Sequence, residues 1–209
     1  MKRILTGLLV IMICGVLFAA NCFAITLLTK EQALKEMFPD VDEVKTSNHV
    51  LTEAEISKIK EKLGGALVHF QKGSQSEDVS EAHNYDFYIG MKGNKVVRIA
   101  IIEEQPGKWG PVEFIIAIDA NTGKVNNLAV MSYKEKRGRP IARNNFLKQF
   151  FGKGSSDPIS VKSGKGIRRD IRAISGATIS SDCACFAVKK ALAIHDNVYV
   201  NMKLNLTEK

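Results

Sequence analysis

The sequence predicts an α+β fold, an antiparallel sheet meander with packed helices, that follows an N-terminal signal peptide. Two neighbouring hairpins, Tyr85–Ile102 and Val112–Tyr133, predict the sheet, because their strands are rich in apolar residues and their connections are too short for crossover helices. Segments with helical spacing lie on both sides of the hairpins. We therefore divide the chain into a leader (1–24), a helical N-terminal segment (25–83) and a main domain (84–209).

The first residues have the pattern of an export signal. Lys2 and Arg3 make a basic start, residues 4–20 carry no charge, and Ala24 is a small residue suited to a cleavage site. This order predicts a secretory signal peptide that is removed after Ala24. Because no charge occurs over residues 4–29, a retained membrane anchor is the alternative. Either interpretation predicts a periplasmic or other extracytoplasmic location for the globular part.

Two helices are predicted in the N-terminal segment. Thr29–Phe38 has apolar residues at helical spacing, and Pro39 follows its end. Thr52–Leu63 opens with Thr-Glu-Ala-Glu, which is typical of a capping box, and Gly64 favours termination of the helix. The polar stretch Gly73–His83 predicts a loop before the first hairpin.

The second half of the chain predicts two further helices and a final strand. Asn144–Phe151 is short, aromatic and helical in pattern. Ser180–Ile194 predicts an amphipathic helix that Ser180 or Ser181 caps. Its predicted buried face consists of Phe186, Ala187, Leu192 and Ala193. Alternating apolar residues from Val198 to Leu206 predict a strand at the end of the chain.

The composition narrows the classes of partner and cofactor. Lys and Arg number 30 against 22 acidic residues, a net charge of +8, which favours acidic partners. The chain contains no recognisable nucleic-acid-binding motif, so we predict no nucleic-acid partner. The four histidines are scattered without a metal-binding pattern, and each is interpreted as a surface or turn residue. Cys183 and Cys185 are interpreted as small apolar helix residues, because their spacing on a helix disfavours a mutual disulfide.

The segment that says most about function is Ser175-Gly176-Ala177-Thr178, which follows a short β-like run, 170–174, and precedes a helix. Gly176 and Ala177 leave the backbone accessible at a tight turn. The hydroxyl groups expected around this turn belong to Ser175, Thr178, Ser180 and Ser181. A helix start offers free N–H groups and the positive end of the helix dipole. The segment therefore predicts a phosphate site, and an ordinary serine cap is the alternative. Basic residues upstream that add charge are Lys162, Lys165, Arg168, Arg169 and Arg172.

These residues, Ser-Gly-Ala-Thr followed by Ile-Ser-Ser and a helix, resemble the flavin-attachment motif of the FMN-binding domain family. Gly110–Asp119 and Gly123–Val125 resemble the central hairpin of that family, and Asn145–Lys153 resembles its following segment. The family includes the periplasmic flavin subunits of the sodium-pumping NADH:quinone reductase and of the Rnf complex.

The resemblance implies a covalent cofactor, FMN joined through its phosphate to Thr178 by a flavin transferase outside the cytoplasm. The remaining residues of the implied cofactor site are Ser175, Gly176, Ala177, Ser180 and Ser181. The family commonly has Asp three residues before the motif's Ser, where this chain has Arg172.

The resemblance implies an extracytoplasmic electron-transfer flavoprotein that passes electrons between redox partners, either as a shuttle or within a membrane electron-transfer complex. The sequence shows no nucleophile–base pair and no paired carboxylates beside the motif, so a non-catalytic carrier is favoured over an enzyme. The alternative is a non-redox exported binding or sensing module that keeps the fold without flavin, and Arg172 supports it.

Several side chains outside the motif are candidates for contact with the cofactor or a partner. Trp109 and Tyr133 flank the central hairpin, and their rings are candidates for a stacking surface. Arg143 and the basic stretch Lys134–Arg139 are candidates to lie near the phosphate or to face a partner. Core and loop positions are the alternative for all of them.

Overall fold

A computed structural model of the protein describes residues 24–76, 79–134, 139–161 and 171–201, so the predicted leader lies almost wholly outside the described residues. In these ranges the strands are β1 (Ile25–Thr26), β2 (Glu43–Val50), β3 (Asn84–Lys92), β4 (Lys95–Pro106), β5 (Pro111–Asp119) and β6 (Val125–Tyr133). The α-helices are α1 (Lys30–Met37), α2 (Glu53–Leu63), α3 (Asn144–Leu147) and α4 (Thr178–Ile194). Short 3₁₀ segments, Arg139–Ala142 and Lys148–Phe150, flank α3, and a π-helical segment, His195–Tyr199, continues α4. Within the described ranges, no helix combines the length and the apolar character that a membrane crossing needs.

The strands form one antiparallel sheet with the order β1-β6-β5-β4-β3-β2, which confirms the predicted meander. Strands β3 to β6 are neighbours in chain order, as hairpins require. The carboxylate of Asp119 organises the β5–β6 turn by accepting hydrogen bonds from the amides of Asn121 at 3.0 Å and Thr122 at 2.8 Å. Gly123 completes this turn at a φ of 65°, a conformation that glycine adopts without steric cost.

Helices cover both faces of the sheet, and β5 lies at its buried centre. Side chains alternate between the two faces of a strand. Phe114 and Ile116 of β5 pack in a core with residues of α3 and α4, whereas Ile115 and Ala117 pack in another core with residues of α1. Burial on both faces explains why the sequence of this strand is almost continuously apolar instead of alternating.

Helix α4 is buried over most of its surface. Its predicted buried face is confirmed, but burial extends well beyond that face and includes Lys190, which is 1% exposed. The ammonium of Lys190 lies 2.7 Å from a carboxylate oxygen of Glu103 on β4. Cys183 and Cys185 are buried in the same helix and neither forms a disulfide, in agreement with their interpretation as small apolar residues.

The N-terminal segment contains both predicted helices and also two strands that its pattern does not indicate. Thr29 and Thr52 cap α1 and α2 through complete capping boxes, and Gly64 ends α2 at a φ of 86°. The strand β2 is mostly exposed and polar, so it lacks the apolar alternation by which strands are recognised. It pairs with β3 along its whole length, and β1 pairs with the end of β6. The segment thus supplies both edges of the sheet.

The predicted final strand is wrong over its described part. Val198 and Val200 lie in a helical continuation of α4 that reaches Asn201, and the rest of the predicted strand falls outside the described residues. Val198 packs beside Ile194 in the core that contains Tyr85 and Phe87. An apolar residue four positions after another also fits one face of a helix, which makes the short alternating pattern ambiguous.

Candidate functional site

The motif Ser175-Gly176-Ala177-Thr178 lies at an exposed turn that leads directly into α4. The predicted β-like run is absent over its described part, because residues 171–174 form no strand. The amide of Ala177 donates a hydrogen bond to the carbonyl of Ile174 at 2.9 Å and closes the turn. Gly176 has a φ of 73°, where a side chain would be strained. The side chains of Ser175 and Thr178 are exposed, so the candidate attachment hydroxyl is accessible to an enzyme.

The N-terminus of α4 has no side-chain cap. Ala177 occupies the N-cap position and its side chain offers no acceptor, and the first turn contains no acidic residue. The amide of Ser181 is bonded to the carbonyl of Ala177, which leaves the amides of the three preceding residues without partners inside the helix. Such a helix end presents N–H donors and a positive dipole to an anion.

Ser180 and Ser181 do not cap the helix, contrary to the prediction. Both lie inside its first turn and are buried, with exposures of 4% and 0%. The hydroxyl of Ser181 donates to the carbonyl of Ala177 at 2.9 Å and accepts from the amide of Ile174 at 3.0 Å. Of the four hydroxyls predicted to surround the turn, Ser175 and Thr178 reach the surface, while Ser181 holds the turn in shape from inside.

A cavity of about 930 Å³ opens beside the motif. Its described lining consists of Pro140, Arg143, Asn145, Phe146, Gln149, Arg172, Ala173, Ile174 and Ser175. Two elements make this lining: the region around α3, and the strand-free segment that ends at the motif. The described lining contains two guanidinium groups and no carboxylate, so the cavity favours an anionic or electron-rich guest. Ser175 connects the cavity to the turn that carries Thr178.

The side chain of Gln149 fixes the segment before the motif. Its Oε1 accepts a hydrogen bond from the amide of Arg172 at 2.8 Å, and its Nε2 donates to the carbonyl of Arg172 at 3.2 Å. One amide side chain thus holds both backbone polar groups of Arg172. Sequence reasoning misses Gln149, Asn145 and Phe146 as site residues, and the signal that could have found them is the resemblance of their segment to the family.

Of the other candidate residues, some lie at the cavity, some lie elsewhere in the fold, and some fall outside the described residues. Tyr133 is 1% exposed and belongs to the main core, so its ring offers no open face for stacking. Trp109 is half-buried, with the ammonium of Lys108 5.3 Å from its ring centre. Residues 135–138 of the basic stretch and the predicted upstream cations at positions 162–169 lie outside the described residues. Arg143 and Arg172 are the predicted cations that the structure places at the cavity.

The histidines contribute nothing to this site, and one of them departs from its predicted position. The sequence predicts a surface or turn position for His195, but its side chain is buried, with Nδ1 3.1 Å from a carboxylate oxygen of Asp196 and its ring stacked on Tyr199. His69 stacks on Phe186 and lies 3.4 Å from the carboxylate of Asp182, one turn along α4 from Thr178. In the described part of the chain, no group of three His, Cys, Asp or Glu residues is arranged to hold a metal ion.

Comparison with known proteins gives this geometry a family context. Residues 107–193, which include the motif and the whole described cavity lining, match the model of the FMN-binding domain. One component of the proton-translocating ferredoxin:NAD(+) oxidoreductase complex of Clostridium ljungdahlii is 31% identical over 109 residues, which are 51% of this chain and 58% of that protein. The chain therefore matches less than two-thirds of the length of this curated relative.

A solved structure supports the fold independently of sequence. The crystal structure of Shewanella oneidensis NqrC matches 86% of this chain and 92% of its own chain, with a TM-score of 0.52 and 14% sequence identity. The predicted α+β fold is confirmed by this similarity and by the sheet order. In sequence, residues 107–193 thus match the FMN-binding domain family, and in architecture the chain is similar to NqrC.

Proposed function

We propose that this chain is an electron-transfer flavoprotein that carries FMN as a phosphoester on Thr178. The observation that carries the proposal is the position of this hydroxyl: it is exposed and begins an uncapped helix, and the turn before it reaches, through Ser175, a cavity of about 930 Å³ lined by two arginines. A free helix N-terminus suits a phosphate, and a cavity of several hundred cubic ångströms suits a ring system.

Different described residues would hold different parts of FMN. The first-turn amides of α4 would hold the phosphate of an FMN joined to Thr178, and Gly176 keeps the backbone small at the turn. Phe146 and Ile174 give the cavity apolar wall, and Arg143 and Arg172 give it positive charge. FMN supplies the redox chemistry when bound, since it accepts electrons in pairs and releases them singly. The chain orients the cofactor, keeps it from diffusing away and leaves part of it open to partners.

The relatives support a place in a membrane redox complex. The Clostridium ljungdahlii protein is by name a subunit of a ferredoxin:NAD(+) oxidoreductase complex. We infer that this chain likewise works beside redox partners, as a subunit or a shuttle, and that a flavin transferase matures it outside the cytoplasm. The basic start and charge-free run at residues 2–20 support export.

Intact mass tests the proposal. The chain is expressed with and without a flavin transferase, and the matured protein is expected to gain about 440 Da, the mass of one FMN phosphoester. Thr178→Ala should abolish this gain and the yellow colour that survives denaturation. Thr46→Ala is the matched control, because it removes an exposed threonine hydroxyl on β2, outside the motif and the cavity lining, and should keep the full mass gain.

Two results would overturn the proposal. A matured wild-type protein without added mass would favour the alternative, a flavin-free binding or sensing module. A Thr178→Ala protein that keeps covalent flavin would place the attachment on another residue.

A further inference from the structure

We propose that Arg172, held in place by Gln149, is a fixed positive charge facing the flavin ring in the cavity, and that together with Arg143 it raises the reduction potential of the cofactor. The inference rests on the proposed function, since it assumes that FMN is tethered at Thr178. It goes further by assigning a role to three residues that lie outside the attachment motif.

The first argument is the balance of charge at the cavity. Arg143 and Arg172 come from the two segments that build it, and the described lining contains no acidic residue to neutralise either of them. An arginine is protonated at any physiological pH, so both charges are permanent. The apolar groups of Phe146, Ile174 and Pro140 share the lining, which reduces screening by water of any charge that enters.

The second argument is the way Arg172 is held. A surface loop residue is ordinarily free to move, but Gln149 bonds both the amide and the carbonyl of Arg172, at 2.8 and 3.2 Å. The same Nε2 group also lies 3.4 Å from the carbonyl of Phe146, which ties the clamp to α3. Next to Arg172, Ile171 is fully buried and anchors the segment in the core. These bonds hold the backbone of Arg172 in one position, and from that position its side chain lines the cavity.

The third argument is the change in charge on reduction. Two electrons and one proton convert the neutral oxidised ring into a reduced ring with one negative charge. Fixed cations beside the ring therefore stabilise the reduced form more than the oxidised form, and charge near the ring is a recognised means by which a protein tunes a flavin. Gln149 is a positioning residue in this scheme, and the two arginines supply the charge.

The test measures the midpoint potential of the covalently flavinylated protein at pH 7, by reduction with dithionite against a reference dye. Arg172→Gln should shift the oxidised-to-reduced ratio about tenfold toward the oxidised form, which is about 30 mV lower for a two-electron couple. Arg143→Gln should shift the ratio in the same direction, and Gln149→Met, which keeps the size of the side chain but loses both hydrogen bonds to the backbone of Arg172, should give a smaller shift. Lys148→Gln is the matched control, because it removes an exposed cation next to Gln149 that does not line the cavity, and it should leave the potential unchanged.

The outcomes separate this inference from the proposed function. Wild-type protein that gains no flavin mass contradicts the proposed function itself. Full flavinylation with equal potentials in wild type and Arg172→Gln overturns the inference and leaves the proposed function standing. A reduced yield of flavinylation in Arg172→Gln, with the flavinylated fraction at the wild-type potential, also overturns it, because the arginine would then serve attachment. A lowered potential in Arg172→Gln and Gln149→Met, with Lys148→Gln unchanged, supports it.

Discussion

Two regions around α4 use charge in opposite ways. In the C-terminal half of the helix, Lys190 meets the buried carboxylate of Glu103, which accepts hydrogen bonds from Lys190 at 2.7 Å, Gln105 at 2.7 Å and Tyr85 at 3.1 Å. At the N-terminus, Arg143 and Arg172 line an open cavity without a carboxylate in its described lining. A buried charge with several partners is part of the architecture, whereas cations at a cavity whose described lining holds no counter-charge are available to a ligand.

Two further partners of Glu103, Tyr85 and Gln105, extend the hydrogen-bond network in the buried region. Burial, and after it the charge of Glu103, raises the pKa of the Tyr85 phenol far above its usual range. Tyr85 therefore stays protonated and remains a donor to the carboxylate. Gln105 links the network to the loop beside α4, since its Oε1 accepts from the amide of His69 and its Nε2 donates to the carbonyl of Leu67.

The largest expected effect comes from removing one partner of the buried pair. Lys190→Met should lower the free energy of unfolding by about 3–5 kcal/mol, because it leaves Glu103 charged and uncompensated in the interior. Arg172→Met at the cavity should change it by less than about 0.5 kcal/mol, as is usual for exposed positions. Urea denaturation followed by circular dichroism measures both. Equal losses in the two variants would remove the distinction between the regions, and Lys190→Met combined with Glu103→Leu should recover part of the loss.

A smaller effect is expected from the hydroxyl that shapes the attachment turn. Ser181→Ala should cost about 1–3 kcal/mol, since the amide of Ile174 and the carbonyl of Ala177 lose a buried partner. The same variant should be flavinylated more slowly than wild type, which is measured as mass gain against time. Ser175→Ala, with an exposed hydroxyl, should be neutral in unfolding. A fully stable Ser181→Ala protein would contradict the role given to this side chain.

The turn itself should tolerate an added methyl group poorly. Gly176→Ala places a side chain at a φ of 73°, which costs about 1–2 kcal/mol. Its thermal unfolding midpoint is expected to fall, and its flavinylation to slow, because the backbone relaxes away from the shape that presents Thr178. An unchanged midpoint together with unchanged flavinylation would show that the left-handed conformation is unnecessary.

The smallest effect concerns acid, at the opposite end of α4 from the site. Burial opposes ionisation of Asp119, but hydrogen bonds from Thr122 and Asn121 outweigh it and lower the pKa of this carboxyl. A carboxyl whose pKa is lowered by folding stabilises the fold at any pH above its unfolded pKa. This contribution to stability is lost as the pH falls through the pKa of the folded state. In Asp119→Asn, the free energy of unfolding should therefore fall less below about pH 4 than in wild type, by about a few tenths of a kcal/mol. Unfolding curves between pH 3 and 7 for both proteins measure the difference, and identical curves would exclude the contribution.

Much of the fold could be predicted because its signals are local. Capping boxes at Thr29 and Thr52 and the glycine at position 64 mark helix ends by chemistry that acts within a few residues. The edge strand β2 could not be predicted, because its polar side chains carry no apolar alternation and its partner is a distant strand. The helical continuation after Ile194 could not be predicted either. The position of Val198 fits both a strand and a helix, and its packing with residues of β3 in the core decides for the helix.

The site was predictable in part, and the contacts that were missed join residues far apart in the sequence. The sequence points to Thr178 through its neighbours in the chain. It does not indicate that Gln149 clamps Arg172, because the two residues are 23 positions apart and an exposed glutamine carries no pattern. The capping role predicted for Ser181 is wrong for a related reason. A serine near a helix start is most often a cap. Here the hydroxyl lies inside the first turn and bonds the backbone of Ile174 and Ala177 in the preceding turn, which the local sequence does not indicate.

The central claim is tested most directly by locating the flavin on a peptide. Trypsin cleavage after Arg172 and Lys189 releases residues 173–189, which contain Ser175, Thr178, Ser180 and Ser181 together. Fragmentation of this peptide from matured protein is predicted to place the whole added mass on Thr178. Added mass on any of the three serines, or a peptide of unmodified mass, would contradict the account.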